Sequence, residues 1–122
     1  MMEERPDYFI LDAEGCPLAT DPETWARWYK SAERRVAVTG ITDDVTVSTV
    51  FLGLDHRYVY ETGDELPLLW ETLVFGGVLD GQMVRYETLG SAREGHDAMV
   101  VRVCAAEGVA VQNQVDLMGD VS

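Results

Sequence analysis

The chain has 122 residues, 47 % of them hydrophobic, with nine basic residues against 22 acidic ones and a formal net charge of −13. That length suits one domain, the apolar share excludes intrinsic disorder, and no run reaches the roughly 18 apolar residues that a membrane span needs. So acidic a surface repels phosphate backbones, which excludes ordinary nucleic-acid binding and suits instead a basic groove on another protein. Solubility alone accounts for the same charge, so mimicry of nucleic acid is one of two readings. The segment Met1 to Pro6 is acidic and polar, without the basic start and apolar stretch of an export signal. The expected location is cytoplasmic, with Cys16 and Cys104 as two reduced thiols.

Along the chain, Tyr8-Phe9-Ile10-Leu11 reads as a strand entering a turn at Asp12-Ala13-Glu14-Gly15, and Cys16 to Ala19 as a brief return strand. Pro17 cannot donate to a ladder, so it belongs at an edge. Asp21 then caps a helix, with Pro22 at its first position and Glu23 at the positive end of its dipole. Trp25, Trp28, Tyr29 and Ala32 recur on one side and Arg27, Lys30, Glu33 and Arg34 on the other, predicting an amphipathic helix over 22–34. Arg35 to Ile41 and Val45 to Leu54 read as two strands around Thr42-Asp43-Asp44. The second becomes apolar on both faces at Val50-Phe51-Leu52, which places it centrally in the sheet.

Residues 55–67 form a long polar loop carrying His56, Tyr58, Tyr60 and four acids. Loops of that length in compact domains are functional or mobile. Leu68 to Val78 is a further strand, and Asp80-Gly81 is the strongest short hairpin signal in the chain. A two-residue turn there sets Phe75 opposite Tyr86 and Gly77 opposite Val84. Ser91 with Glu94 makes a capping box and opens a second helix over 91–106, with Ala92, His96, Met99 and Val103 as its buried stripe. The predicted fold class is α+β, a mostly antiparallel sheet with two amphipathic helices on one face, in the order β-β-α-β-β-β-β-α. Residues 1–106 make a single domain, and 107–122 lack a strong period and form a loosely held tail.

Several segments together resemble a family of small proteins from bacteriophages and prophages. They are Trp25-Ala26-Arg27-Trp28, Val47 through His56 (VSTVFLGLDH), Leu68 through Gly77 (LLWETLVFGG), Arg85-Tyr86 and Gly95-His96. The resemblance covers roughly residues 7–104, while the loop from Arg57 to Pro67 is longer than the family pattern. It implies a phage or prophage origin, an accessory role and a place in the cytoplasm of a bacterial host cell. It brings no catalytic residues with it.

Candidate chemistry is sparse. Gly76-Gly77 lacks the following Lys-Ser or Lys-Thr of a phosphate loop and leads into a strand; there is no nucleophile elbow and no Cys–His pair at a recognisable spacing. No cofactor, metal or catalytic residue is assigned. The candidates for binding a ligand or partner are Asp55, His56, Tyr58, Tyr60, Glu71 and His96. Asp55-His56 closes a strand, and strand ends with their loops commonly hold ligands. With the Asp80-Gly81 turn in place, Glu71 projects on the face of Leu69, Leu73, Phe75 and Tyr86. A carboxylate there needs burial with a partner, such as an arginine like Arg35, or access to water at the sheet end. His96 lies on an apolar helical stripe, where a lone histidine is usually a satisfied core residue. Convergence of Asp55, His56, Glu71 and His96 would instead supply acid–base groups or metal ligands.

The leading expectation is a binding protein that antagonises a host process such as antiviral defence, taking either a host protein with a basic surface or a small signalling ligand. A small enzyme built on Asp55, His56, Glu71 and His96 is the first alternative, and a virion or assembly component the second. Membrane association is not expected, and homo-oligomerisation is left open. The charge yields one direct expectation: in a mobility-shift assay at ordinary salt, micromolar protein leaves duplex DNA and RNA unshifted. Tight binding there would break the electrostatic argument.

Overall fold

A computed structural model describes residues 8–54, 67–111 and 115–116 of the chain. The elements are β1 (Tyr8–Leu11), β2 (Pro17–Thr20), α1 (Pro22–Ser31), β3 (Arg35–Thr42), β4 (Val45–Phe51), β5 (Trp70–Phe75), β6 (Met83–Tyr86), α2 (Leu89–Glu107) and β7 (Val115–Asp116). Strands β1 and β2 make a separate hairpin; the others form one antiparallel sheet in the order β6-β5-β4-β3-β7. The class is α+β, and the order through α2 is the expected one. Strand β7, paired with Thr39 and Gly40 of β3, is an addition that lies within the expected tail.

Strand β4 is central, as its apolar end indicated, and its side chains alternate cleanly. Val45, Val47, Thr49 and Phe51 are buried beneath α2, while Thr46, Ser48 and Val50 point to the other face. Helix α2 answers with Ala92, His96, Met99 and Val103, the stripe read from the sequence, joined by Val100 and Cys104. Helix α1 buries none of its residues fully, yet it reaches the same face through Trp28, whose ring meets Phe51 edge-on at 5.8 Å. Phe51 meets Trp70 in turn at 5.1 Å, so an aromatic row ties α1 to the sheet.

Helix boundaries differ from expectation for local reasons. Asp21 does cap α1: its carboxylate accepts from the Thr24 amide at 2.7 Å and from the Thr24 hydroxyl at 3.0 Å, and these bonds hold its pKa below the ordinary value. The helix stops at Ser31, before the expected 34, because Arg34 must present its carbonyl to the Phe51 amide at 2.8 Å and so open the ladder to β4. Helix α2 begins earlier than 91. Thr88, extended at φ −135°, accepts from the Ser91 amide at 3.0 Å, so the cap is Thr88 and the expected Ser91–Glu94 box does not form.

The β5–β6 connection is the main correction. Gly76 and Gly77 both take positive φ and end the strand, and the Asp80 carboxylate accepts from the Gly76 amide at 2.6 Å. The closing pair is Val74 with Gln82, so the turn is a wider loop than the two-residue Asp80-Gly81 hairpin. Tyr86 consequently faces Trp70 where Phe75 was expected, a slip of five residues. An odd slip exchanges the faces of the partner strand. Tyr86 therefore joins Trp70 and Thr72 on the helix side, and Glu71 lies on the other face with Leu73 and Phe75.

Gly76 also approaches β4 closely: an added Cβ would collide with the Asp44 carbonyl oxygen, whereas a Cβ on Gly81 meets open space. Both glycines have nearly the same φ, +88° and +87°, so their conformational costs match. Gly81→Ala should cost about 1 kcal/mol and Gly76→Ala at least twice that in denaturant melts. Equal costs would show that the Asp44 contact does not constrain the loop.

Candidate functional site

Asp55, His56, Tyr58 and Tyr60 lie outside the described residues. Of the expected site residues, the structure places Glu71 and His96, and it places them apart.

His96 sits on α2 and is 3 % exposed. Its Nε2 lies 2.8 Å from the Thr39 hydroxyl and its Nδ1 2.8 Å from the Thr49 hydroxyl. Thr49 also bonds the Thr72 hydroxyl, which accepts from the Tyr86 phenol at 3.0 Å. One imidazole and four hydroxyls thus connect β3, β4, β5, β6 and α2 through the core. The threonines are buried because alternation along their strands points them at the helix, and each finds a polar partner there. Gly95 makes room for the last member, since a side chain at that position would overlap the Tyr86 ring.

Glu71 lies on the opposite face of the sheet, directly across from Arg85, and its Oε2 accepts from Arg85 Nε at 3.1 Å. The two side chains retain 13 % and 28 % exposure. The carboxylate therefore has a cationic partner, but that partner is Arg85; Arg35 is turned to Glu33 at 2.9 Å. With the sheet between them, Glu71 and His96 do not share a pocket. Among the described residues, no group of three or more His, Cys, Asp or Glu side chains is placed to hold a metal ion. No described helix is long and apolar enough to cross a membrane.

Two surface features occupy opposite ends of the sheet. At the end formed by the β3–β4 turn and the β5–β6 loop, Phe75 and Val78 are 51 % and 71 % exposed. Asp43, Asp44 and Asp80 are exposed beside them, and Glu107 closes the loop by accepting from the Val78 amide at 2.8 Å. At the other end, roughly 20 Å away along β4, a cleft of about 190 Å³ opens between the β1–β2 turn, the start of β3 and the first turn of α2. Arg34, Arg35, Glu33 and Arg93 are its charged lining, and Phe51 and Trp70 its floor.

Glu33 accepts from Arg35 through both carboxylate oxygens, at 2.9 and 3.3 Å. Those hydrogen bonds lower the Glu33 pKa and raise that of Arg35, so the pair stays ionised. The Arg34 guanidinium lies 3.7 Å above the Tyr29 ring. Sequence reading passed over this cleft. Its one signal was that a chain with nine basic residues puts two of them together at Arg34-Arg35; the approach of Arg93 depends on α2 beginning at Leu89.

Comparison of the chain with protein-family models, curated proteins and solved structures gives no match.

The Glu71–Arg85 geometry makes a quantitative expectation. For this half-buried pair, joined by a single hydrogen bond, a double-mutant cycle with Glu71→Gln and Arg85→Met should yield a coupling of about 1 kcal/mol in thermal or urea melts. A coupling several times larger would mean that the pair is sealed from water and central to the fold.

Proposed function

We propose that the protein acts by stoichiometric binding and not by turnover, as a phage- or prophage-encoded antagonist of a host process such as antiviral defence. Its target is a host protein with a basic surface. The observation that carries this reading is the exposed pair Phe75 and Val78 set among Asp43, Asp44 and Asp80. An exposed aromatic ring is the kind of anchor that dominates interface energetics, and a rim of one charge steers a partner of the opposite charge. The excess of 22 acidic over nine basic residues extends that field over the whole molecule. The phage resemblance supports a host protein as the partner, through its motifs at Trp25–Trp28, Val47–His56 and Leu68–Gly77.

The test is a titration of the inhibited host system with purified protein. Inhibition should saturate at a fixed molar ratio, and Phe75→Asp should weaken the complex at least about tenfold, the scale of an interface anchor. Association should slow as salt is raised. Complete effect at protein far below the target's concentration would mean catalysis and overturn the reading, as would full potency of Phe75→Asp.

A further inference from the structure

We infer that the cleft at the basic end of the sheet is a binding site for a phosphoryl group, met as free phosphate or as the phosphate of a small monoester. This inference stands apart from the partner reading, because the cleft and the Phe75 surface lie at opposite ends of β4.

Three of the chain's nine basic residues line this one cleft, opposed by a single carboxylate among the lining residues. Glu33 satisfies Arg35 alone. Among the described residues, Arg34 and Arg93 have no carboxylate partner, unlike Arg35 and Arg85. Gathering unpaired guanidinium groups costs Coulomb energy, and a bound anion offsets that cost. The surplus of two positive charges matches a phosphate dianion.

The Arg34 guanidinium is held in plane by the Tyr29 ring, so its donors are oriented in advance. It makes one long bond, 3.4 Å from Nη1 to the Phe51 carbonyl, and its buried Nε has no partner. A guanidinium offers five N–H donors in a fork that matches several phosphate oxygens. Arg93 is exposed on the first turns of α2, where the positive end of the helix dipole adds to the same field.

Leu11, Val36 and Leu89 form apolar walls, and the volume suits a phosphoryl group with a small organic substituent. A polymer is disfavoured, since the net charge of −13 repels a continuous phosphate backbone while a single phosphate meets only its local field.

The experiment uses the purified full chain in isothermal titration calorimetry at low salt. Inorganic phosphate is the first probe and adenosine 5′-monophosphate the second. Saturable one-to-one binding is expected, weakened about tenfold or more by Arg93→Gln, the scale of one lost charge-assisted hydrogen bond. Arg102→Gln, which removes the same charge from an exposed position further along α2, should leave binding unchanged. Tighter binding of the monophosphate assigns the site to a monoester, and equal affinity assigns it to phosphate itself. Thermal melts of both variants verify that the fold is retained. Absence of saturation in the millimolar range, or equal weakening by the two variants, would overturn the site.

Discussion

An imidazole set in the middle of an apolar helical stripe must have both ring nitrogens answered, and that requirement organises this domain. His96 is answered from two different strands, by Thr39 and Thr49. The hydroxyl chain then passes to Thr72 and Tyr86, so four strands and the helix are held in one register. Apolar packing between Val47, Val74, Met99 and Val103 supplies the larger driving force, but it tolerates sliding. Buried polar contacts do not, because a slip would leave donors and acceptors unpaired in low dielectric. The network therefore locks the register that the buried hydrophobic face already favours.

That lock has consequences on the face away from the helices. Because Tyr86 must turn inward to reach Thr72, Arg85 turns outward and meets Glu71. The same parity leaves Phe75 pointing outward at the end of β5, where the two turns carry Asp43, Asp44 and Asp80. The far ends of β4 and β5 deliver Phe51 and Trp70 to the floor of the arginine-lined cleft. Exposed carboxylates thus gather at the turns of one end, while three arginines line the cleft where α2 begins.

Much of the fold was legible because it rests on local periodicity. The Asp21-Pro22 start of α1, the alternation of β4 and the stripe of α2 each depend on residues close in sequence. The β5–β6 turn was misread for a physical reason: Asp80-Gly81 carries hairpin chemistry, but Gly76-Gly77 ends the strand first and diverts the Asp80 carboxylate to the Gly76 amide. The second cap was displaced in the same way, since Thr88 reaches the Ser91 amide before Ser91 can act as a cap itself. The candidate site was less legible. Glu71 was singled out for its charge in an apolar run, yet its partner is set by register, so the wrong turn led to the wrong arginine. The cleft escaped because its lining comes from five separated segments, which no window of sequence brings together.

The two ends of the sheet also bear on why so acidic a chain keeps its few arginines where it does. Arginines scattered over a surface of net charge −13 would each be neutralised by nearby carboxylates at little gain, since exposed pairs contribute about 1 kcal/mol at most. Glu33–Arg35 shows that this chain does use such a pair, and Arg85 is likewise matched by Glu71 in a half-buried setting. Among the described residues, Arg34 and Arg93 depart from that pattern, and they do so where an aromatic ring, a helix start and an apolar wall converge on a cleft. Packing does not explain it, because Arg93 is exposed and leaves no cavity when truncated. Solubility does not explain it either, because added carboxylates would serve that end better. What accounts for the arrangement is a local field kept positive against the charge of the rest of the molecule, and such a field acts on a small anion.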